Sequence, residues 1–271
     1  MDFEEFLKWA LPQLGLRWQG FEDVYGQVAK RLRDRMAAVG VGDLESYRDY
    51  IEEHPDEWRR VDACCRITIS RFYRDPEVFD ALRALVLPQL AERAREAGRT
   101  EIRAWSAGAA SGEEPYTLKM YWKLDVGEVF GDIQMPIVAS EAFPHMIDRA
   151  RQAVYPDSSL KDLPEDWRRE AFEEVRGGFR LEGEFRSGVA FVQHDIRQGP
   201  PRELQTPVDL ILCRYLAFTY FDEAAQREFL EKIRPALRDG GFLVIGKDET
   251  LPEPSPEFEP VDATDSVYRI R

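Results

Sequence analysis

The stretch WSAGAASGEEPYT, residues 105–117, sets two carboxylates, Glu113 and Glu114, at the start of a helix directly after a run of small residues. Its chemistry is recognition rather than proton transfer. Ala107, Gly108, Ala109, Ala110, Ser111 and Gly112 let a backbone approach a ligand closely, and the following helix start offers unpaired N–H groups. A phosphate would suit the positive end of the helix dipole, but two acids in the first turn repel it, so the turn is shaped for something cationic or neutral. Gly-Lys-Ser/Thr is absent and the glycine spacing is not GxGxxG, which excludes a P-loop and the dinucleotide fingerprint. Taken alone, the two acids are equally well explained as favourable partners of the helix dipole.

Two further acids shift that balance. Glu141 closes the apolar run IVAS, where an acid at the end of a second strand can accept from a ribose diol. Asp195 follows the run VAFVQ, where it can accept from an exocyclic amine. Together with Glu113 they describe a nucleoside ligand without phosphate and with a positive charge. S-adenosyl-L-methionine (SAM), with its ammonium and sulfonium, fits that description better than NAD. His54, His145 and His194 have no ligand spacing, and Cys64, Cys65 and Cys213 form neither a disulfide framework nor a metal motif, so no metal is expected.

The elements that hold these residues fall into two regimes. Residues 1–97 show helical periodicity: Phe21, Val24, Tyr25, Val28, Leu32 and Met36 share a face, and Gly40 suits a C-cap. A further helix begins at Asp75-Pro76, with Asp as cap and a break near Pro88. From residue 98 onward the runs IRAWS, PIVAS, VAFVQ, VDLILC and GFLVIG alternate with helical segments, which implies an α/β domain with a mostly parallel sheet covered on both faces. SVYRIR is expected to close the sheet as an edge strand, and LPEPSPEFEP reads as a Pro-rich loop. In such sheets ligands bind beyond the carboxyl ends of the strands, where Glu113, Glu141 and Asp195 all fall.

Six segments carry a resemblance to a known family. ITISRFYRDP (67–76), WSAGAASGEEPYT (105–117), ASEAF (139–143), FVQHDI (191–196), CRYLAFTYFD (213–222) and GKDE (246–249) appear in the order of the CheR-type chemotaxis-receptor glutamate methyltransferases, and GEEPY is the specific piece. The resemblance implies a Rossmann-like class I SAM-dependent methyltransferase with a seven-stranded sheet (98–271), preceded by a small all-helical domain and connecting helix (1–97). It implies SAM as cofactor and S-adenosyl-L-homocysteine as product. Carried over residue by residue, it places Thr68, Ser70, Arg74, Ala107, Gly108, Glu113, Glu141, Asp195, Ile196, Tyr215 and Leu216 at the cofactor. Arg74, matching the arginine of FFR, and Tyr220, matching the tyrosine of IYF, are the implied catalytic pair.

The chain also departs from that pattern. Glu141 stands where the family has Asp, Tyr215 where it has Asn, GKDE replaces GHSE, and the β insert expected around 176–190 is short, with room for one hairpin from FRLEGEFRSGVAF. These changes cluster where the resemblance implies the methyl acceptor should sit. Three readings therefore stay open: a protein-glutamate methyltransferase, a methyltransferase acting on another protein, peptide or small acidic nucleophile, and a non-catalytic SAM-binding module. A net charge of −14 over 271 residues argues against nucleic acid and for a basic or neutral partner, unless Arg168, Arg169, Arg176, Arg180 and Arg186 form a local basic patch for an acidic receptor. No apolar stretch of about 20 residues is present, so a cytoplasmic protein without membrane insertion is expected.

Overall fold

The computed structural model describes residues 1–261 and 264–271. Ten strands are named in chain order: β1 (Ala104–Ala107), β2 (Ile137–Glu141), β3 (Val154–Tyr155), β4 (Phe172–Val175), β5 (Gly178–Leu181), β6 (Val189–Gln193), β7 (Val208–Leu212), β8 (Leu237–Val244), β9 (Phe258–Val261) and β10 (Thr264–Ile270). Among the described residues no helix is long and apolar enough to cross a membrane.

The chain divides into two compact units, the smaller being Met1–Thr68 with Thr219–Gln226. Its helices are α1 (Phe3–Ala10), α2 (Tyr25–Val39), α3 (Leu44–Glu53) and α4 (Trp58–Cys65). Asp2 and Glu5 form a reciprocal capping box at the start of α1, satisfying two otherwise orphaned N–H groups. Val28, Leu32 and Met36 recur every fourth residue and are buried, while Gly40 (φ 75°) ends α2 in the left-handed conformation that glycine adopts without strain. Glu57, buried, accepts from Arg35 at 2.7 and 2.6 Å and from the Tyr47 hydroxyl at 2.8 Å, so its charge is fully paired. The segment from the far end of the sequence joins through Leu16, which bridges to Phe221, and Arg17, whose N–H donates to the Tyr220 carbonyl at 2.9 Å.

The larger unit comprises Ile69–Phe218 and Arg227–Arg271. Its seven-stranded sheet has the order β6-β2-β1-β7-β8-β10-β9. The first five strands in that order pair in parallel, and β10 runs antiparallel to β8 and β9. Every residue of β1 and β7 is buried, as continuous apolar runs with both faces covered require. Burying Leu210, Ile211 and Leu212 contributes about 1.5–3 kcal/mol each.

Four features differ from the expected layout. Helices α5 (Pro76–Ala81) and α6 (Leu87–Glu96) belong to the larger unit, so the division falls at residue 68 rather than 97: Val78, Phe79, Leu82, Val86 and Leu90 pack with Ile102, Leu210 and Phe242. A π-helical turn, Leu82–Val86, joins α5 to α6 just before Pro88, which lacks the N–H that a regular turn would use. Asp75 does not cap α5 with its side chain.

The edge strand is β9, not SVYRIR, which forms the inner β10; Pro260 lies in β9, and an edge position tolerates its missing donor. The insert is a three-stranded antiparallel sheet of order β3-β5-β4. Its hairpin turns at Arg176-Gly177, earlier than expected, because Gly177 (φ 99°) and Gly178 (φ 147°) supply the turn conformations, and GEFR within the expected hairpin is a helix, Gly183–Arg186. Of the arginines in that region, Arg168 ion-pairs with Asp157 and lies over the Phe179 ring.

Candidate cofactor site

The turn after β1 is pinned to β2 by backbone: the N–H groups of Gly108 and Ala109 both donate to the Ser140 carbonyl at 2.9 Å. The Trp105 indole donates to the Ser140 hydroxyl at 2.9 Å, which places that tryptophan in the core. Gly112 (φ 94°) precedes α7 (Glu113–Tyr121), and a Cβ there would stand 3.0 Å from Ala150 and Phe191. Gly112→Ala is therefore expected to destabilise the protein by about 1–3 kcal/mol through a strained φ and crowding, seen as a lower urea midpoint. An unchanged midpoint would show that the turn relaxes freely. Gly108 is also required, but for packing: a Cβ there would lie 2.2 Å from Leu216 Cδ2.

Glu113 is 2 % exposed, and both of its oxygens accept from the Ser111 hydroxyl, at 3.0 and 2.9 Å. Burial pushes its carboxyl above the ordinary range, and hydrogen bonds from its own backbone, Ser111 and Ser70 only partly offset this. Among the described residues no lysine or arginine ion-pairs with it. A desolvated carboxylate served only by neutral donors is a seat for a cation.

Glu114 behaves differently. It accepts from Ser106 Oγ at 2.8 Å and from Arg214 Nη1 at 3.4 Å; burial raises its carboxyl and Arg214 pulls it down. Arg214, buried, also donates through Nη2 to Asp75 Oδ2 and to the Arg74 carbonyl, each at 2.7 Å. Asp75 in turn accepts from the Tyr215 hydroxyl at 2.5 Å. The Tyr215 N–H donates to Glu249 Oε2 at 2.8 Å, and the same oxygen takes the Gly246 N–H at 2.7 Å. Burial, then the Asp75 hydrogen bond, push the Tyr215 hydroxyl well above its ordinary range. Arg74 lays its guanidinium over the Tyr215 ring, 3.6 Å from the centroid, and donates to the Ile69 carbonyl at 3.1 Å.

At the neighbouring tips, Glu141 accepts the Ala110 and Phe143 N–H groups, each at 3.0 Å, and its own carbonyl takes the His194 N–H, tying the ends of β1, β2 and β6 together. Each carboxylate oxygen retains a further acceptor direction. Asp195 caps the turn Ile196–Gln198 and ion-pairs with Arg197 at 2.6 Å; Ile196 is buried beside it. The structure thus joins Ser70 to Glu113, Arg74 to Tyr215, Gly108 to Leu216, and the tips carrying Ala107, Glu141 and Asp195. Thr68 and Tyr220 belong to the smaller unit, where the Tyr220 ring packs on Phe21 at 4.9 Å.

Asp75, Arg214 and Glu249 were not singled out in the sequence as functional. The signal was present in the arginine of CRYLA, the aspartate of RDP and the closing glutamate of GKDE.

The match to "CheR methyltransferase, SAM binding domain" runs over residues 68–267, most of the chain and all of the strand tips just described. The chain belongs to the CheR methyltransferase family. It is 32 % identical over 189 residues to the chemotaxis protein methyltransferase of Listeria monocytogenes, covering 70 % of this chain and 68 % of that protein. It is 26 % identical over 227 residues to that of Borreliella burgdorferi, covering 83 % and 80 %. An uncharacterized 104.1 kDa protein of Rhodobacter capsulatus is 30 % identical over 245 residues; the match takes in 90 % of this chain but only 25 % of that protein's length.

The sheet order, with its one antiparallel strand inserted next to the edge, is that of a class I SAM-dependent methyltransferase. The cofactor is SAM, and the residues fit it: Glu113, buried, hydrogen-bonded by hydroxyls and its own backbone and ion-paired with no lysine or arginine among the described residues, complements an ammonium.

Proposed function

We propose that this CheR-family chain transfers the methyl group of SAM to a carboxylate, the side chain of a glutamate in an acceptor protein of the chemotaxis-receptor type. The observation that carries the acceptor class is Arg74. Its side chain is half-buried, lies over the Tyr215 ring, and among the described residues spends one hydrogen bond, on Ile69. Four of the five N–H groups of that guanidinium remain for a carboxylate, the geometry for which a planar fork is suited.

SAM supplies, when bound, an electrophilic methyl on a sulfonium. The chain's residues have the simpler work of alignment. Glu113, with Ser111 and Ser70, would hold the ammonium, Glu141 the ribose diol, and Asp195 with Ile196 the adenine, while Ala107, Gly108 and Leu216 would line the approach. A glutamate acceptor is already ionised at neutral pH, so no general base is needed. Arg74 would orient the attacking oxygen; rate then comes from positioning and from excluding water.

Incubation with methyl-tritiated SAM and a receptor-type acceptor is expected to give label that base releases as volatile methanol, since an ester forms. Base-stable label would reject the glutamate reading and favour another nucleophile, consistent with Tyr215 standing where the family has Asn. Arg74→Ala should lower turnover by about 100-fold, as losing an orienting contact does. Full activity in that variant would remove Arg74 from the mechanism.

A further inference from the structure

Three residues around Arg74 adopt left-handed backbone conformations that non-glycine residues rarely take: Tyr73 (φ 57°), Asp75 (φ 59°) and Tyr215 (φ 55°). Strain of this kind persists where surrounding contacts over-determine it. Here the contacts are visible. Asp75 is held by Arg214 at 2.7 Å and by the Tyr215 hydroxyl at 2.5 Å, and the Tyr73 N–H donates to Thr117 Oγ1 at 3.1 Å. The Tyr215 backbone is held in turn by Glu249 at 2.8 Å. The ring lies so close to Gly246 that a Cβ there would meet Cζ at 2.8 Å and Cε1 at 2.9 Å. Two loops 140 residues apart in sequence are therefore locked together, and Arg74, carried on one of them, sets its guanidinium carbon 3.6 Å from the centroid of the locked ring.

We propose that Tyr215 is a positioning residue for Arg74: its ring fixes the plane of the guanidinium, while its hydroxyl only adds to the hold that Arg214 already has on Asp75. A long, flexible arginine loses much rotamer freedom on binding, and a ring that removes that freedom in advance leaves the fork aimed before a carboxylate arrives. An asparagine at this position has no face to offer. The chain has thus exchanged an amide for an aromatic platform. Glu249 and Gly246 are the parts that permit it, one holding the strained backbone and the other making room for the ring. The inference rests on the role given to Arg74 above.

The test is a double-substitution cycle with Arg74→Ala and Tyr215→Leu, with two readouts on the full chain: affinity for S-adenosylhomocysteine by calorimetry, and single-turnover tritium transfer from SAM to a receptor-type acceptor. Tyr215→Leu should lower transfer by about tenfold, the worth of a desolvated cation–π contact. In the Arg74→Ala background the same change should lower it less than about twofold, because the partner it positions is gone. Tyr215→Phe, which keeps the ring and loses only the Asp75 hydrogen bond, should restore most of the rate. Equal losses in both backgrounds, or Tyr215→Phe as impaired as Tyr215→Leu, would overturn the proposal. Should Tyr215→Leu fail to fold, Arg74→Lys takes its place: it keeps the charge and loses the planar stack, and wild-type transfer in that variant would overturn the proposal equally. If Arg74→Ala matches wild type in both readouts, the role of Arg74 falls and this inference with it. If Arg74→Ala is impaired while Tyr215→Leu is not, the platform alone falls.

Discussion

Glu113→Gln is expected to make the ligand-free protein more resistant to unfolding while lowering its affinity for S-adenosylhomocysteine by about 100-fold. The two halves have one cause. Burial raises the Glu113 carboxyl above its unfolded value, with Ser111 and Ser70 only partly compensating. A raised acid favours folding below the unfolded pKa, and that contribution is lost as pH rises through the folded pKa. At neutral pH the ionised side chain is therefore a stability cost, which a neutral amide of the same shape removes. Each kcal/mol regained should raise Tm by about 2–4 °C for a domain of this size. The ammonium, conversely, loses the buried counter-charge that faces it, and truncating one side of such a pair costs about 2–5 kcal/mol, or 30-fold and more. Thermal unfolding and calorimetry on the same preparation read both effects. A variant that binds normally would show that the carboxylate is not the ammonium seat. A variant that binds weakly and is also less stable would show that Glu113 holds the turn together instead. In the wild type, affinity should rise with pH through the raised pKa to a plateau, because the acid must give up its proton to solvent before its carboxylate can face a cation; this dependence should vanish in the Gln variant.

That carboxylate was legible in the sequence because every signal for it is local. A strand, six small residues and two acids lie within thirteen positions, and Gly112 must be glycine for reasons its neighbours impose. The central strands were legible for a similar reason: β1 and β7 are buried along their whole length, and buried parallel strands read as unbroken apolar runs. The edge was not. Pro254, Pro256 and Pro260 give the region of β9 the look of a loop, and only its pairing with β10 makes it a strand. The unit boundary was hidden too, since α4 and α5 look alike as amphipathic helices and differ only in which core accepts them. The joining of residues 219–226 to the first unit depends on contacts with residues some 200 positions earlier, such as Arg17 Nε to the Thr219 carbonyl. Asp75, Arg214 and Tyr215 likewise meet across about 140 residues. In the sequence Asp75 reads as a helix cap; in the fold its carboxylate is committed elsewhere.

Arg214 should be the most destabilising single position to change. Its side chain is 2 % exposed and holds two acids from different parts of the unit, Asp75 at 2.7 Å and Glu114 at 3.4 Å, together with the Arg74 carbonyl. Arg214→Met keeps the apolar stem against Phe79 but leaves the acids without their cation. Breaking a buried pair from one side costs about 3–5 kcal/mol, because the remaining charge is stranded, and Tm should fall on the order of 10 °C. The surface pair Arg269–Glu259, 44 % and 39 % exposed, offers the contrast: Arg269→Ala should leave the urea midpoint unchanged.

The pH dependence separates stranded charge from lost packing. With Arg214 gone, only the Ser106 hydrogen bond and the charge of Arg74 oppose the effect of burial on Glu114, whose pKa rises further, so the Met variant should lose ground to wild type as pH increases and recover part of the gap as pH falls. Adding Asp75→Asn and Glu114→Gln to Arg214→Met removes both stranded charges and should restore much of the stability. It should not restore methyl transfer, because the loop that carries Arg74 would no longer be anchored. If the triple variant stays as unstable as the single one, the cost lies in packing around the guanidinium. If it regains activity as well as stability, the Arg214–Asp75 pair has no part in placing Arg74.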